Sequence, residues 1–275
     1  MAIITIYQGA SGSGEELAGA VAQSLGCACV GRELLVRTSQ RYGISEAKLN
    51  QIDEAGPSWW ERFVQNLQPY RIALQAALCE IAETEGDAGL VYHGHLGHEL
   101  LPNFNHVIKV MMTAPLEMRV EQVQERQRLD ANAARRYVDE VDKARSRRLR
   151  ALFDQDWRDP SRFDLVINRA RMSLDAAQHL IVAMARLPEF KMNPASKQAF
   201  ADFTLASRVH AALALSSEIA QSNFDIKAQA GKVAVKGVLP TWLSEELVVD
   251  KIKQIPGVKN VEADFVSAPD IIYGD

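Results

Sequence analysis

The sequence predicts an α/β fold, a parallel sheet flanked by helices, followed by a small α+β unit of order αββαβ. Three observations predict it. Short apolar runs rich in β-branched residues, Ile3–Tyr7, Cys27–Val30, Leu90–His93, Val107–Thr113 and Leu165–Asn168, alternate with segments of helical period. Such alternation implies right-handed crossovers and helices on both faces of the sheet. A glycine loop, Gly9 to Gly14, joins the first strand to the first helix. After the proline-broken stretch Leu187 to Ser196 the order changes to helix, strand, strand, helix, strand.

Each element follows from local chemistry. Ile3–Tyr7 is apolar and ends at glycine, as a buried strand does. In Glu15–Leu25, Leu17, Ala18, Val21, Ala22 and Leu25 share one helical face, and Gly26 supplies a stop. Arg32 to about Glu83 is mostly helical, broken at Gly43 and at Gly56-Pro57-Ser58. Pro115 opens a helix, where a missing N–H costs nothing, and Asn132–Phe153 forms a long charged one. Leu174–Arg186 closes the first unit. Beyond it, Phe203–Leu215 reads as a helix. Phe224–Ala228 and Val233–Val238 read as a hairpin turning at Ala230-Gly231, Leu243–Ile255 as an amphipathic helix, and Val258–Phe265 as a last strand entered through Pro256-Gly257. The expected division is residues 1–187, a linker at 188–200, and 201–268.

Composition bounds the function. The 275 residues are 47% hydrophobic and 24% charged, with a net charge of −4, which argues against a general nucleic-acid binder. No apolar run reaches the roughly 18 residues of a membrane span, and the first residues lack the pattern of a secretory leader. A cytoplasmic location is expected. Cys27, Cys29 and Cys79 form neither a disulfide framework nor a zinc motif, and are expected to be small buried apolar residues.

The loop carries the first functional signal. A strand, Gly9-x-x-x-x-Gly14 and a helix form the layout of a phosphate-binding loop. The small residues Gly9, Ser11, Gly12, Ser13 and Gly14 let successive backbone N–H groups curl around an anion, and the helix N-terminus adds partial positive charge. Glu15 and Glu16 occupy the positions where such a loop carries its lysine and its magnesium-holding hydroxyl. A like charge about 4 Å from a phosphate costs on the order of 4 kcal/mol at an effective dielectric of 20, less where the side chain turns to solvent. A plain strand-turn-helix, with two acids favouring the helix dipole, fits the loop equally well.

A resemblance tips that balance. Ala114-Pro115-Leu116-Glu117-x-Arg119, Glu125-Arg126, Asp142-Lys143-x-Arg145 and Trp157 with Phe163-Asp-Leu-Val-Ile-Asn168 resemble the cytidylate-kinase-like family, the P-loop nucleoside monophosphate kinases. The resemblance implies a P-loop kinase-like sheet. It also implies ATP as cofactor, with Mg2+ if the chain is active, and a nucleotide or phosphorylated small molecule as ligand. It implies that Arg126 and Arg145 neutralise a transferring group and that Arg119, Arg148 and His95 meet substrate phosphate, Gly9, Ser11, Gly12, Ser13, Gly14, Glu15 and Glu16 forming the cofactor loop. Guanidinium forks suit phosphate bidentately. The alternative is a solvated helix face, since Arg135, Arg136, Lys143, Arg147 and Arg150 share that helix with Asp139, Glu140 and Asp142. Three positions depart from the family: Glu15 replaces a cation, Gly31 an acid, and Gly94-His95 a Gly-Arg pair. A weakened catalyst that still binds phosphate is the expectation, since phosphoryl transfer rests on positioning and charge.

His93, His95 and His98 are also candidates for a metal site, although a histidine in place of a phosphate-binding arginine is favoured. Trp59-Trp60 reads as packing, with base stacking as the alternative. Residues 201–268 resemble the BON domain through Phe224-Asp-Ile-Lys227, Gly231-Lys-Val-x-Val-Lys-Gly237 and Ile255-Pro-Gly257-Val-x-x-Val261. That resemblance implies a protein or phospholipid partner. It also supports an alternative function, a non-catalytic adaptor on a kinase scaffold. Lys227, Lys232, Lys236, Lys251, Lys253 and Lys259 are otherwise a solvated surface.

Overall fold

β1 (Ile3–Gln8) lies at the centre of a five-stranded parallel sheet of order β2-β3-β1-β4-β5. Its neighbours are β2 (Ala28–Val30), β3 (Leu90–His93), β4 (Val107–Thr113) and β5 (Leu165–Asn168). The computed structural model describes residues 2–8, 13–46, 49, 67–85, 88–219 and 223–267; Trp59 and Trp60 lie outside them. β1 is apolar on both faces because helices cover both, as parallel sheets require. Ile4 and Ile6 pack with Leu17, Val21 and Ile181 of helices α1 (Gly14–Leu25) and α7 (Leu174–Ala185). Ile3 and Tyr7 pack on the opposite face with Leu74 and Leu78 of α3 (Gln68–Glu85), Leu34 of α2 (Glu33–Tyr42) and Leu100 of the single turn α4 (Gly97–Leu100).

The cysteines only partly follow expectation. Cys79 is buried in α3, but Cys27 is half-buried and Cys29 exposed. β2 is a three-residue strand at the sheet edge, so little covers it.

α5 (Leu116–Gln127) and α6 (Ala131–Phe153) form a hairpin with its own small core of Val120, Val123, Ala134 and Val138. Asp130 caps α6 by accepting from the Ala133 N–H at 2.9 Å.

The segment expected as a linker is structured. Residues Pro188–Phe190 form a 3-10 turn, and α8 runs from Pro194 to Ala214, starting nine residues before the expected Phe203. The signal is local: the Asn193 side chain accepts from the Ser196 N–H, the Ser196 hydroxyl returns the bond, and Pro194 sits where helices tolerate proline. Pro194 thus opens a helix where the sequence pattern predicts a break.

The C-terminal unit is a mixed three-stranded sheet, with β6 (Phe224–Gln229) and β7 (Lys232–Leu239) antiparallel and β8 (Asn260–Ser267) parallel to β7. Ala230 and Gly231 both have positive φ, 50° and 90°, as a tight hairpin turn of right-handed twist requires. α8 and α9 (Glu245–Lys253) cover one face through Val209, Leu213, Val248 and Ile252. On the other face Lys232 pairs with Glu262 at 2.5 Å and Lys236 with Asp264 at 2.7 Å. α8 also packs on α3, where Arg208 donates to Glu80 at 2.7 Å, Glu83 at 3.2 Å and the Pro256 carbonyl at 3.0 Å. No helix among the described residues is long and apolar enough to cross a membrane.

Candidate functional site

The C-terminal end of β1 feeds the glycine loop. Gly9, Ser11 and Gly12 lie outside the described residues; Ser13 is the N-cap of α1 and Gly14 its first residue. A Cβ on Gly14 would stand 2.1 Å from Gln8 Oε1, so the Gln8 amide lies against the first turn of the helix. Glycine permits that approach of loop end to loop start. Glu15 and Glu16 are exposed in the same turn, directed away from the core formed by Leu17 and Ala18.

Arg145 and Arg119 hold partners at this end of the sheet. Arg145, on α6, donates through Nη1 to the Gln8 carbonyl at 2.8 Å, one residue before the loop. Its Nη2 lies 2.8 Å from His95 Nε2. Arg119, on α5, gives Nη1 to both oxygens of Asp142, at 3.0 and 2.7 Å. Asp142 stands one helical turn before Arg145, so the pair braces the hairpin beside it. Arg148 is 2% exposed, and its charge, with those of Arg145 and Arg119, reaches the Tyr7 hydroxyl. Arg126 is exposed in the last turn of α5.

The partner roles decide the state of His95. A guanidinium only donates, so His95 Nε2 is the acceptor and the ring is neutral with its proton on Nδ1. Burial, then the charges of Arg145 and Arg148, push its pKa well below the ordinary value. The resemblance implies contact between His95 and substrate phosphate. In this arrangement it offers a lone pair, and that lone pair is taken by Arg145.

The three histidines do different things. His93 packs over Gly31; its Nε2 lies 2.2 Å from where a Cβ on Gly31 would stand. Where the resemblance implies an acid in the family, the Nε2 and Cε1 atoms of an imidazole lie over Gly31. His98 is wedged between Tyr7 and Phe163, ring centroids at 5.2 and 4.8 Å. Its Nε2 is 3.6 Å from Glu99, too far for a hydrogen bond, and burial lowers its pKa to about 3. No group of three metal-ligating side chains occurs among the described residues.

Sequence reasoning passed over Tyr7 and Gln8 as site residues. Tyr7 is a core aromatic whose hydroxyl makes no hydrogen bond among the described residues, and burial holds that hydroxyl well above the usual phenol range. It packs on Trp157, whose indole N–H donates to Ser146 at 2.8 Å, so strand end and α6 are locked together. The available signal was position alone: the last residues of a strand that runs into a glycine loop face whatever the loop holds.

Two family models match the chain. Residues 3–171 match the cytidylate kinase-like family, and residues 201–269 match the BON domain. A cytidylate kinase of Methanopyrus kandleri is 33% identical over 109 residues, 37% of this chain and 56% of that protein. Another, of Staphylothermus marinus, is 32% identical over 92 residues, 34% of this chain and 51% of that one. The match thus spans about half the length of these relatives. Among solved structures, a shikimate kinase from Bacteroides thetaiotaomicron covers 68% of this chain and 99% of its own, at 12% identity and a TM-score of 0.43. The family match covers well over half of the 275 residues, and the protein belongs to the cytidylate kinase-like family.

Proposed function

We propose that the unit of residues 1–187 binds a nucleotide or other phosphorylated ligand at the Gly9–Gly14 loop, with ATP as the nucleotide. The observation that carries this is Arg145, held on the Gln8 carbonyl beside the loop by an element distant in sequence. The backbone suits phosphate: the N-cap Ser13 makes no side-chain cap hydrogen bond, and the N–H groups of the first turn of α1 carry partial positive charge. The side chains fit it less well. Glu15 brings a negative charge, and His95 has replaced a cation with an acceptor. Phosphoryl transfer to a CMP-like acceptor is therefore proposed as weak. Magnesium, when bound with ATP, would neutralise phosphate charge; Glu16, an exposed carboxylate at the position where such a loop carries its magnesium-holding hydroxyl, is a residue that would hold it. Arg145 would orient the phosphates, and Tyr7 with Trp157 keeps water from the buried side of the strand end.

The test is calorimetric titration with ATP and CMP, with and without magnesium. ATP binds the wild type, and Arg145→Ala weakens it by roughly 1.5–3 kcal/mol, the scale of a hydrogen bond to a charged group. Unchanged affinity in Arg145→Ala overturns the assignment.

A second reading is an adaptor that uses the unit of residues 201–268 to find a protein or phospholipid partner. One observation favours it: α8 joins the two units without a break and is pinned to α3 by Arg208. No ATP binding, together with partner capture that is lost when residues 201–268 are deleted, supports this reading over the first.

A further inference from the structure

Lys109 interrupts the apolar strand β4. It shares a face with Val107 and Met111 and is 8% exposed. Its ammonium makes one hydrogen bond, to Asn103 Oδ1 at 2.7 Å. No carboxylate comes within ion-pair distance of it among the described residues. The nearest candidates are committed elsewhere. Glu99 receives Arg162 through both oxygens, and Asp164 accepts the Lys109 backbone N–H at 2.7 Å. Burying an ammonium without a counter-ion costs several kcal/mol. Burial accordingly holds the Lys109 pKa below the usual lysine value, with Glu99 opposing.

Lys109 lines a cavity of about 550 Å3, within the range of small-molecule sites. Phe104, Phe163 and Phe190 give it aromatic walls, and Asn103 and Ser161 add polar groups. It opens at the N-terminal end of β4 and β5, where residues 103–105 and 161–164 enter those strands, and the glycine loop lies at the other end of the sheet.

We propose that this cavity is a second ligand site, taking a small organic carboxylate with a flat apolar body, the carboxylate on Lys109 and the body against the phenylalanines. The charge balance selects this class. Of the two cations on the lining, Arg162 is spent on Glu99, whereas Lys109 has no ion pair among the described residues. Asp164 and Glu189 on the lining repel a doubly charged phosphate. A single negative charge fits, and the aromatic walls favour a flat body over a compact polar one.

The experiment titrates the full chain with benzoate and with benzamide, which has the same shape and no charge. Benzoate binds in the millimolar range, and benzamide at least tenfold more weakly. Lys109→Met lowers benzoate affinity tenfold or more and raises the melting temperature, since it removes an uncompensated charge. Phe190→Ala, on the 3-10 turn outside the sheet, weakens benzoate severalfold and leaves ATP titration unchanged. Equal affinity for benzoate and benzamide, or no affinity for either at millimolar concentration, overturns the proposal whatever the stability of Lys109→Met. The ATP titration runs separately, so a failure here is distinct from a failure of the loop assignment.

Discussion

The two ends of the parallel sheet treat positive charge in opposite ways. At the loop end Arg145 is shared between the Gln8 carbonyl and His95, and Arg119 is paired with Asp142. At the other end Lys109 has one neutral amide for company. The loop end carries more cations, yet the protein's own acceptors already hold the two whose bonds are described above. At the opposite end Lys109 has no ion pair among the described residues, and the carboxylates that act on its charge, Glu99 and Asp164, are engaged elsewhere. A count of basic residues therefore misjudges both. What a ligand meets is the charge left after internal pairing, and a phosphate at the loop must compete with Asp142 and His95 for guanidinium N–H groups.

The sharpest way to break this comparison is to restore the charges the family has at the loop end. If only identity mattered, Gly31→Asp would help. The structure predicts harm: the new Cβ meets the His93 ring, and the carboxylate arrives beside Glu33, which already accepts the Gly31 N–H at 2.8 Å. Overpacking of this kind costs about 1–3 kcal/mol, read as a lower urea midpoint. Adding His93→Ala recovers much of that loss. A stable Gly31→Asp single variant would show that the site is looser than its packing.

A second probe uses pH. His98, with a folded pKa of about 3, stays neutral while its unfolded counterpart titrates near the ordinary value of 6.5. A histidine with a depressed folded pKa contributes stability that is whole above the unfolded pKa and lost as pH falls towards the folded one. By pH 5 the loss is about 2 kcal/mol for this group. His95 adds to it in the same direction. Urea midpoints at pH 7.5 and 5 should separate accordingly, and His98→Phe should narrow the gap. An equal gap in the variant would place the acid sensitivity elsewhere.

These effects also mark how far the sequence could be read. Strand and helix order was legible because each run follows a single period: Val107–Thr113 and Leu165–Asn168 appear with the expected bounds. The candidate arginines were legible through the resemblance. Their acceptors were not. Arg145 meets Gln8 across 137 residues and His95 across 50, and no local pattern announces a backbone carbonyl as partner. Lys109 was invisible for the reverse reason, one charged residue inside an otherwise apolar strand, where period alone says core. The proline at 194 misled because proline both ends and begins helices, and the Asn193–Ser196 reciprocal cap decides which.

A third prediction asks whether paired cations also hold the two units together. Arg208 is bonded to α3 by Glu80 and Glu83 and to the C-terminal unit by the Pro256 carbonyl. Arg208→Ala leaves Glu80, 18% exposed, without this partner. The expected cost is about 1–2 kcal/mol, between the values for surface and buried pairs. Hydrogen exchange in α3 and α8 should rise together. Protection lost in α8 alone would mean that the contact stabilises the helix and not the junction.

The smallest expected effect on stability bears on the largest question about the loop. Glu15 is exposed in the first turn of α1, where its charge favours the helix dipole. Glu15→Lys removes that benefit and adds an unfavourable cation, together up to about 1 kcal/mol, so the melting temperature falls slightly. The same change removes a carboxylate from the approach to bound phosphate, so ATP affinity should rise severalfold, and more at low salt because exposed charges are screened. Stability and affinity thus move in opposite directions, which separates a local charge effect from a general change in folding. Because Arg145 and Arg119 remain engaged by Gln8, His95 and Asp142, the gain should stop well short of what a free clamp would give. Adding Asp142→Asn, which frees Arg119, should then raise affinity further in the Glu15→Lys background. If Glu15→Lys instead lowers ATP affinity only when magnesium is present, the carboxylate is serving the metal, and the loop end is short of acceptors rather than short of cations.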